Sequence, residues 1–163
     1  MSLYEKFGEF DSAEELNRSA EGLRNEGDVG SLLELARENG IDAEDAQDYM
    51  DGCMDVLASP IAAALGKLEV ECAELKPEQI MEDWVGYIRI QCTESEKMAA
   101  AVRKKGKSLR GCIAELLKWS FKHQKDIDKE ILKEAGVTAS RVASGTPGMA
   151  TAREIIRTYY LGK

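Results

Sequence analysis

The sequence predicts an all-α fold, a compact bundle of about eight to ten short helices, and three observations carry that expectation. Residues that favour helix N-caps recur along the chain at helix-length intervals. Apolar and polar residues do not alternate as a half-buried strand requires, apart from a weak run at Lys67–Glu71. The composition is rich in Ala, Leu, Glu and Lys, all good helix formers, with only 3 prolines in 163 residues.

The elements follow from their punctuation. Ser2 with Glu5, and Ser12 with Glu15, have the spacing of capping boxes, and the second opens a helix to about Leu23. Gly27-Asp28 breaks the chain before Ser31–Ala36, whose helix ends at Asn39-Gly40. Asp42 caps a helix to about Leu57. Ser59 followed by Pro60 sets an N-cap and a first-turn proline ahead of the apolar stretch Ile61–Leu75. Pro77 is the expected start of the next helix, which carries Ile80, Trp84, Tyr87, Ile88 and Cys92. Thr93 and Glu96 open another, closed by Gly106. Ser108 starts the helix Leu109–His123, Asp126 starts a short one ending at Ala135-Gly136, and Thr146-Pro147 starts the last.

Charge is divided along the chain. Residues 1–100 carry 24 acidic and 8 basic side chains, a net of −16. Residues 101–163 carry 14 basic and 6 acidic ones, a net of +8. The expected organisation is an acidic helical half, 1–95, and a basic helical half, 96–163. The two are expected to pack as one domain, because no Pro-, Gly- or Ser-rich linker parts them. The halves then show partners fields of opposite sign. No apolar run approaches membrane-spanning length and Met1–Phe10 lacks a basic-then-apolar leader, so a cytoplasmic protein without membrane association is expected.

Cys53, Cys72, Cys92 and Cys112 are evenly spaced, but no C-x-x-C pair occurs and His123 is the only histidine. Separate thiols in a reducing compartment are expected, with no metal site and no cofactor. The segment Gly106-Lys107-Ser108 echoes the end of a phosphate-binding loop, but the upstream glycine is missing and no strand precedes it. With no nucleophile–base pair and no ligand cluster, catalysis is not expected.

Three groups of residues are candidates for binding. Glu44, Asp45, Asp48, Asp51 and Asp55 recur at spacings of three and four, which places them on one face of the helix expected from Asp42 to Leu57. This face is either a solvated surface or an imitation of a phosphate backbone. In the helix after Ser108, Leu109, Cys112, Ile113, Leu116 and Ser120 form one stripe, flanked by Leu117 and Phe121. Lys107, Lys118 and Lys122 lie opposite, and Arg103, Lys104, Lys105 and Arg110 add to them as an exposed basic face for nucleic acid or an acidic partner. Trp119, Tyr159 and Tyr160 are candidates for stacking on bases or for the core. Finally, Ile127–Val142 resembles a bacterial helix-turn-helix. Gly136 would take the left-handed turn, Thr138 would cap a second helix, and Ala139, Ser140 and Arg141 would face a DNA groove.

The segment Arg103–Cys112 with its following helix, and the closing Ala152–Tyr160 with its Tyr-Tyr pair, resemble the PcfK-like proteins of conjugative and phage-like elements. The resemblance covers about residues 100–163. It implies a mobile-DNA setting and, through members of that family that inhibit Cas9, an anti-CRISPR role. The leading expectation is a non-enzymatic protein that binds a protein or nucleoprotein complex, a Cas nuclease first. A helix-turn-helix DNA-binding accessory protein and a structural or assembly protein are the alternatives.

Overall fold

A computed structural model describes residues 3–162, and the chain forms two compact units that meet between Arg110 and Gly111. The fold is all-α: among the described residues there are nine helices and one two-residue antiparallel ladder. The expected cap at Ser2 lies outside the described residues.

The first unit contains α1 (Ala13–Glu26), α2 (Val29–Glu38), α3 (Ala43–Met50), α4 (Pro60–Leu75), α5 (Ile80–Glu94), α6 (Glu96–Arg103) and the first residues of α7 (Leu109–Lys122). Several starts are as the sequence predicts. Ser12 Oγ accepts the Glu15 N–H at 3.1 Å, and Ser59 Oγ accepts that of Ala62 at 3.1 Å, with Pro60 at the first helical position. Asp28 itself caps α2, accepting the Ser31 N–H at 3.0 Å, so that helix begins before Ser31.

Other boundaries differ. Pro77 does not open α5. The chain leaves α4 through a left-handed Lys76, turns again at Gln79, and resumes helix only at Ile80. Thr93 stays inside α5, where its hydroxyl donates to the Ile90 carbonyl, and Ser95 caps α6 instead. The helix from Asp42 stops at Met50, well short of Leu57. Gly52 sits at φ 81, its N–H reaches the Tyr49 carbonyl, and the Cys53 N–H reaches that of Asp48. That pair of bonds satisfies the last carbonyls and ends the helix.

α4 packs on α1, α5 and α6. Leu16 and Ala20 of α1, Leu32 and Leu35 of α2, Ala46 and Tyr49 of α3, and Ala63 of α4 share one buried cluster. Each fully buried leucine contributes roughly 2 kcal/mol of transfer free energy. Further along, Leu68, Trp84, Ile88, Met98 and Val102 are also buried. The end of α2 rests directly on α4 through two glycines. A Cβ on Gly40 would lie 2.1 Å from the Gly66 carbonyl oxygen, and one on Gly66 would lie 2.1 Å from that of Asn39.

The second unit holds the rest of α7, β1 (Lys125–Asp126), α8 (Lys129–Glu134), β2 (Ala143–Ser144) and α9 (Met149–Leu161). Here the expected helix-turn-helix is corrected. Gly136 does adopt a left-handed φ of 67, and α8 closes as the Gly136 N–H donates to the Lys133 carbonyl and the Val137 N–H to that of Leu132. Yet no second helix follows, so Thr138 caps nothing. Thr138, Ala139, Ser140 and Arg141 lie in an exposed connection that returns to pair β2 with β1. Arg141 Nε donates to Asp126 Oδ1 at 2.6 Å beside that ladder. Asp126 is therefore a strand residue, and Asp128 is the cap of α8. The last helix begins at Met149, after Gly148, rather than at Thr146-Pro147.

Candidate functional site

The weak alternation at Lys67–Glu71 belongs to α4, and it marks residues turned inward. Lys67, Glu71 and Arg103 are all buried, together with Asn39. An ammonium has three donors, and Lys67 Nζ places all three: on Glu9 Oε1 at 2.8 Å, the Lys104 carbonyl at 2.9 Å and the Lys107 carbonyl at 2.6 Å. Burial lowers its basicity, and the Glu9 hydrogen bond opposes that shift.

The same cluster holds the basic loop that follows α6. Asp11 Oδ1 accepts the Lys105 N–H at 3.0 Å, Glu9 Oε2 accepts that of Gly106 at 3.4 Å, and Glu71 Oε2 accepts that of Leu109 at 3.3 Å. Buried and acidic groups thus fix the backbone of Lys104–Lys107, while the Lys104 and Lys105 side chains are exposed.

Arg103 is the chief correction to the expected basic face. It is 1% exposed and lies with Ala99 and Val102 on the buried stripe of α6. Its Nη2 donates to Asn39 Oδ1 at 3.0 Å, and its guanidinium carbon lies 5.8 Å from the centroid of the Tyr4 ring. Its Nε and Nη1 have no hydrogen-bond partner among the described residues. Spacing carried the signal: Ala99, Val102 and Arg103 fall at i, i+3 and i+4, the geometry of one helix face.

The other basic candidates divide between the units. Lys107 is half-buried, and Arg110 is exposed and pairs with Glu74 at 3.5 Å, both in the first unit. Lys118, paired with Glu115 at 2.7 Å, and Lys122 are exposed in the second. Leu109 and Leu116 are buried as the stripe requires, Ile113 is half-buried, and Leu117 and Phe121 are exposed.

Burial raises the Glu71 carboxyl from its ordinary 4.5 to about 7. The Lys67 and Arg103 charges and the Leu109 N–H oppose the rise, and Glu9 adds to it. A carboxyl more basic in the folded than in the unfolded state binds its proton preferentially when folded, so stability falls as pH climbs from about 4.5 through about 7. Glu71→Gln is expected to flatten the stability profile across that window and to exceed the wild type in stability near neutral pH and above. Urea midpoints taken at intervals of pH check this, and an unchanged slope counts against it.

Glu44, Asp45, Asp48, Asp51 and Asp55 are all exposed, and none forms an ion pair among the described residues. They do not share one helix, because α3 ends at Met50. Asp51 is its C-cap, where it accepts from Gln47 Nε2 at 3.1 Å, and Asp55 lies in the following segment. Asp55 instead borders a groove of about 560 Å³ with Glu14, Arg18, Glu21 and Arg24 of α1, where Arg24 stacks over the Tyr49 ring at 4.8 Å.

These features define an all-α protein with a backbone-locked basic loop and an exposed acidic surface on α3 and the segment after it. No family model, no curated protein and no solved structure matches the chain. Among the described residues, no helix is long and apolar enough to cross a membrane.

Proposed function

We propose that the protein is a non-enzymatic binding protein that engages a protein or nucleoprotein machine through the acidic surface of α3 and the segment after it, with a Cas nuclease, Cas9, as the favoured target. The observation that carries this is the exposure of five carboxylates from Glu44 to Asp55, none of them in an ion pair among the described residues. Like charges so close repel one another at a cost of a few tenths of a kcal/mol per neighbouring helical pair. A partner channel lined with Lys and Arg relieves that repulsion, and complementary fields speed the encounter. The resemblance of the segments Arg103–Cys112 and Ala152–Tyr160 to the PcfK-like proteins supports the choice of Cas9. A DNA-reading role for Thr138–Arg141 loses its support with the missing second helix.

DNA cleavage by several Cas9 orthologues, with and without excess protein, tests the proposal. Inhibition is expected for at least one orthologue, weakening as salt rises. Replacing Asp45, Asp48, Asp51 and Asp55 by Asn together is expected to weaken inhibition at least tenfold. Thermal stability should change little, because all four side chains are exposed. Unchanged cleavage and no complex with any orthologue would overturn the reading.

A further inference from the structure

We infer that a groove in the second unit binds an unpaired nucleotide of single-stranded nucleic acid. The groove lies between α7 and α9 and encloses about 640 Å³, which is within the usual range of roughly 300–1,000 Å³ for small-ligand sites. This site is separate from the acidic surface and does not depend on the role proposed for it.

One wall carries a ready stacking platform. The Trp119 and His123 rings, one helical turn apart on α7, stack with centroids 4.0 Å apart and planes inclined by 12°. A second bond fixes the imidazole: its Nδ1 lies 2.8 Å from the Trp119 carbonyl oxygen. A carbonyl only accepts, so Nδ1 is the donor in this bond. Tyr159 supplies an aromatic surface on the other wall, and its ring meets the buried Tyr160 edge-on at 4.9 Å. A base inserted here meets π-surfaces held in place before it arrives, which lowers the ordering cost of binding.

The rim has the polar groups that a nucleotide requires. Lys118 and Lys122, one turn apart and exposed, can reach backbone phosphates. Glu115 is already paired with Lys118, whereas Glu154 would repel phosphates if it had no other task. As an acceptor Glu154 matches the exocyclic amines of cytosine and adenine. Residues 111–163 carry 9 basic and 6 acidic side chains, so this unit attracts a polyanion where the first unit repels one. In a duplex, the base faces and the amino edges used in pairing are already occupied, so the groove should select single strands.

Tryptophan fluorescence of the full chain provides the test. The protein has 2 tryptophans, and Trp84 is buried in the first unit, so quenching by added oligonucleotide reports Trp119. Single-stranded homopolymers of cytidylate and adenylate are expected to quench, with thymidylate weaker and an equal-length duplex weaker still. Trp119→Ala, and Trp119→Leu as the better-packed control, should each weaken binding roughly tenfold or more, read by anisotropy of a labelled strand. Replacing Lys118 and Lys122 together by Ala should reduce the slope of log affinity against log salt by about 1.4. Glu154→Ala should narrow the preference for amino-bearing bases. Duplex bound as tightly as single strand, or Trp119 variants that bind like the wild type, would overturn the inference. A mononucleotide that quenches as strongly as the strand would overturn its assignment to single strands.

Discussion

Lys67→Ala is expected to lower stability by roughly 3–5 kcal/mol, the usual cost of removing one partner from a buried charged network. The substitution strips hydrogen bonds from Glu9 and from the Lys104 and Lys107 carbonyls at once. It also leaves Glu71 without the nearby cation that most favours its charged form. Lys67→Met keeps the packing of the aliphatic stem but not the three donors, so it should recover only a small part of the loss. The exposed Lys118 is the contrast: Lys118→Ala should stay within about 0.5 kcal/mol of the wild type. Urea midpoints measure the difference. Amide exchange at Lys105, Gly106 and Leu109, whose N–H groups bond to the same carboxylate cluster, should accelerate in parallel. A loss at Lys67 no larger than at Lys118 would mean that the network does not hold the loop.

Two glycine substitutions should move stability in opposite directions. Gly40→Ala places a methyl group 2.1 Å from the Gly66 carbonyl oxygen and 2.8 Å from its Cα, both backbone atoms that no side-chain rotation can clear. It also forces an L-residue to a φ of 65. Left-handed strain of about 1–2 kcal/mol adds to overpacking of about 1–3 kcal/mol, so a loss of several kcal/mol is expected. Gly22 sits within α1, and a Cβ there meets nothing within 4 Å. Gly22→Ala should therefore stabilise the protein by about 0.5–1 kcal/mol, because alanine has less backbone freedom to lose in a helix. Paired thermal melts check both signs. A tolerated Gly40→Ala would show that the end of α2 can lift away from α4.

The residues alone determined the all-helical character and the helix starts after Ser12, Asp42 and Ser59. Ser12, Ser59 and the glycine after α2 act through hydrogen bonds that close within about five residues, so their whole mechanism is written locally. The stripe of Leu109 and Leu116 was legible for the same reason: helix periodicity alone brings them to one side. The acidic side chains are exposed as a charge-rich run suggests, but their sharing of a single helix was not decided by spacing. Gly52 ended α3 first. The expected reading helix after Gly136 was lost to a nonlocal competitor, the ladder in which Asp126 pairs with Ala143. Arg103 and Lys67 show the same division most sharply. A lysine or arginine read by type belongs on the surface, and only partners far along the chain reverse that preference. Lys67 finds its acceptors 58, 37 and 40 residues away, and Arg103 finds Asn39 at a separation of 64. Short-range pattern set which residues turn inward along each helix, and tertiary packing decided which charges could stay there, because a buried charge persists only where distant groups replace the water it has lost.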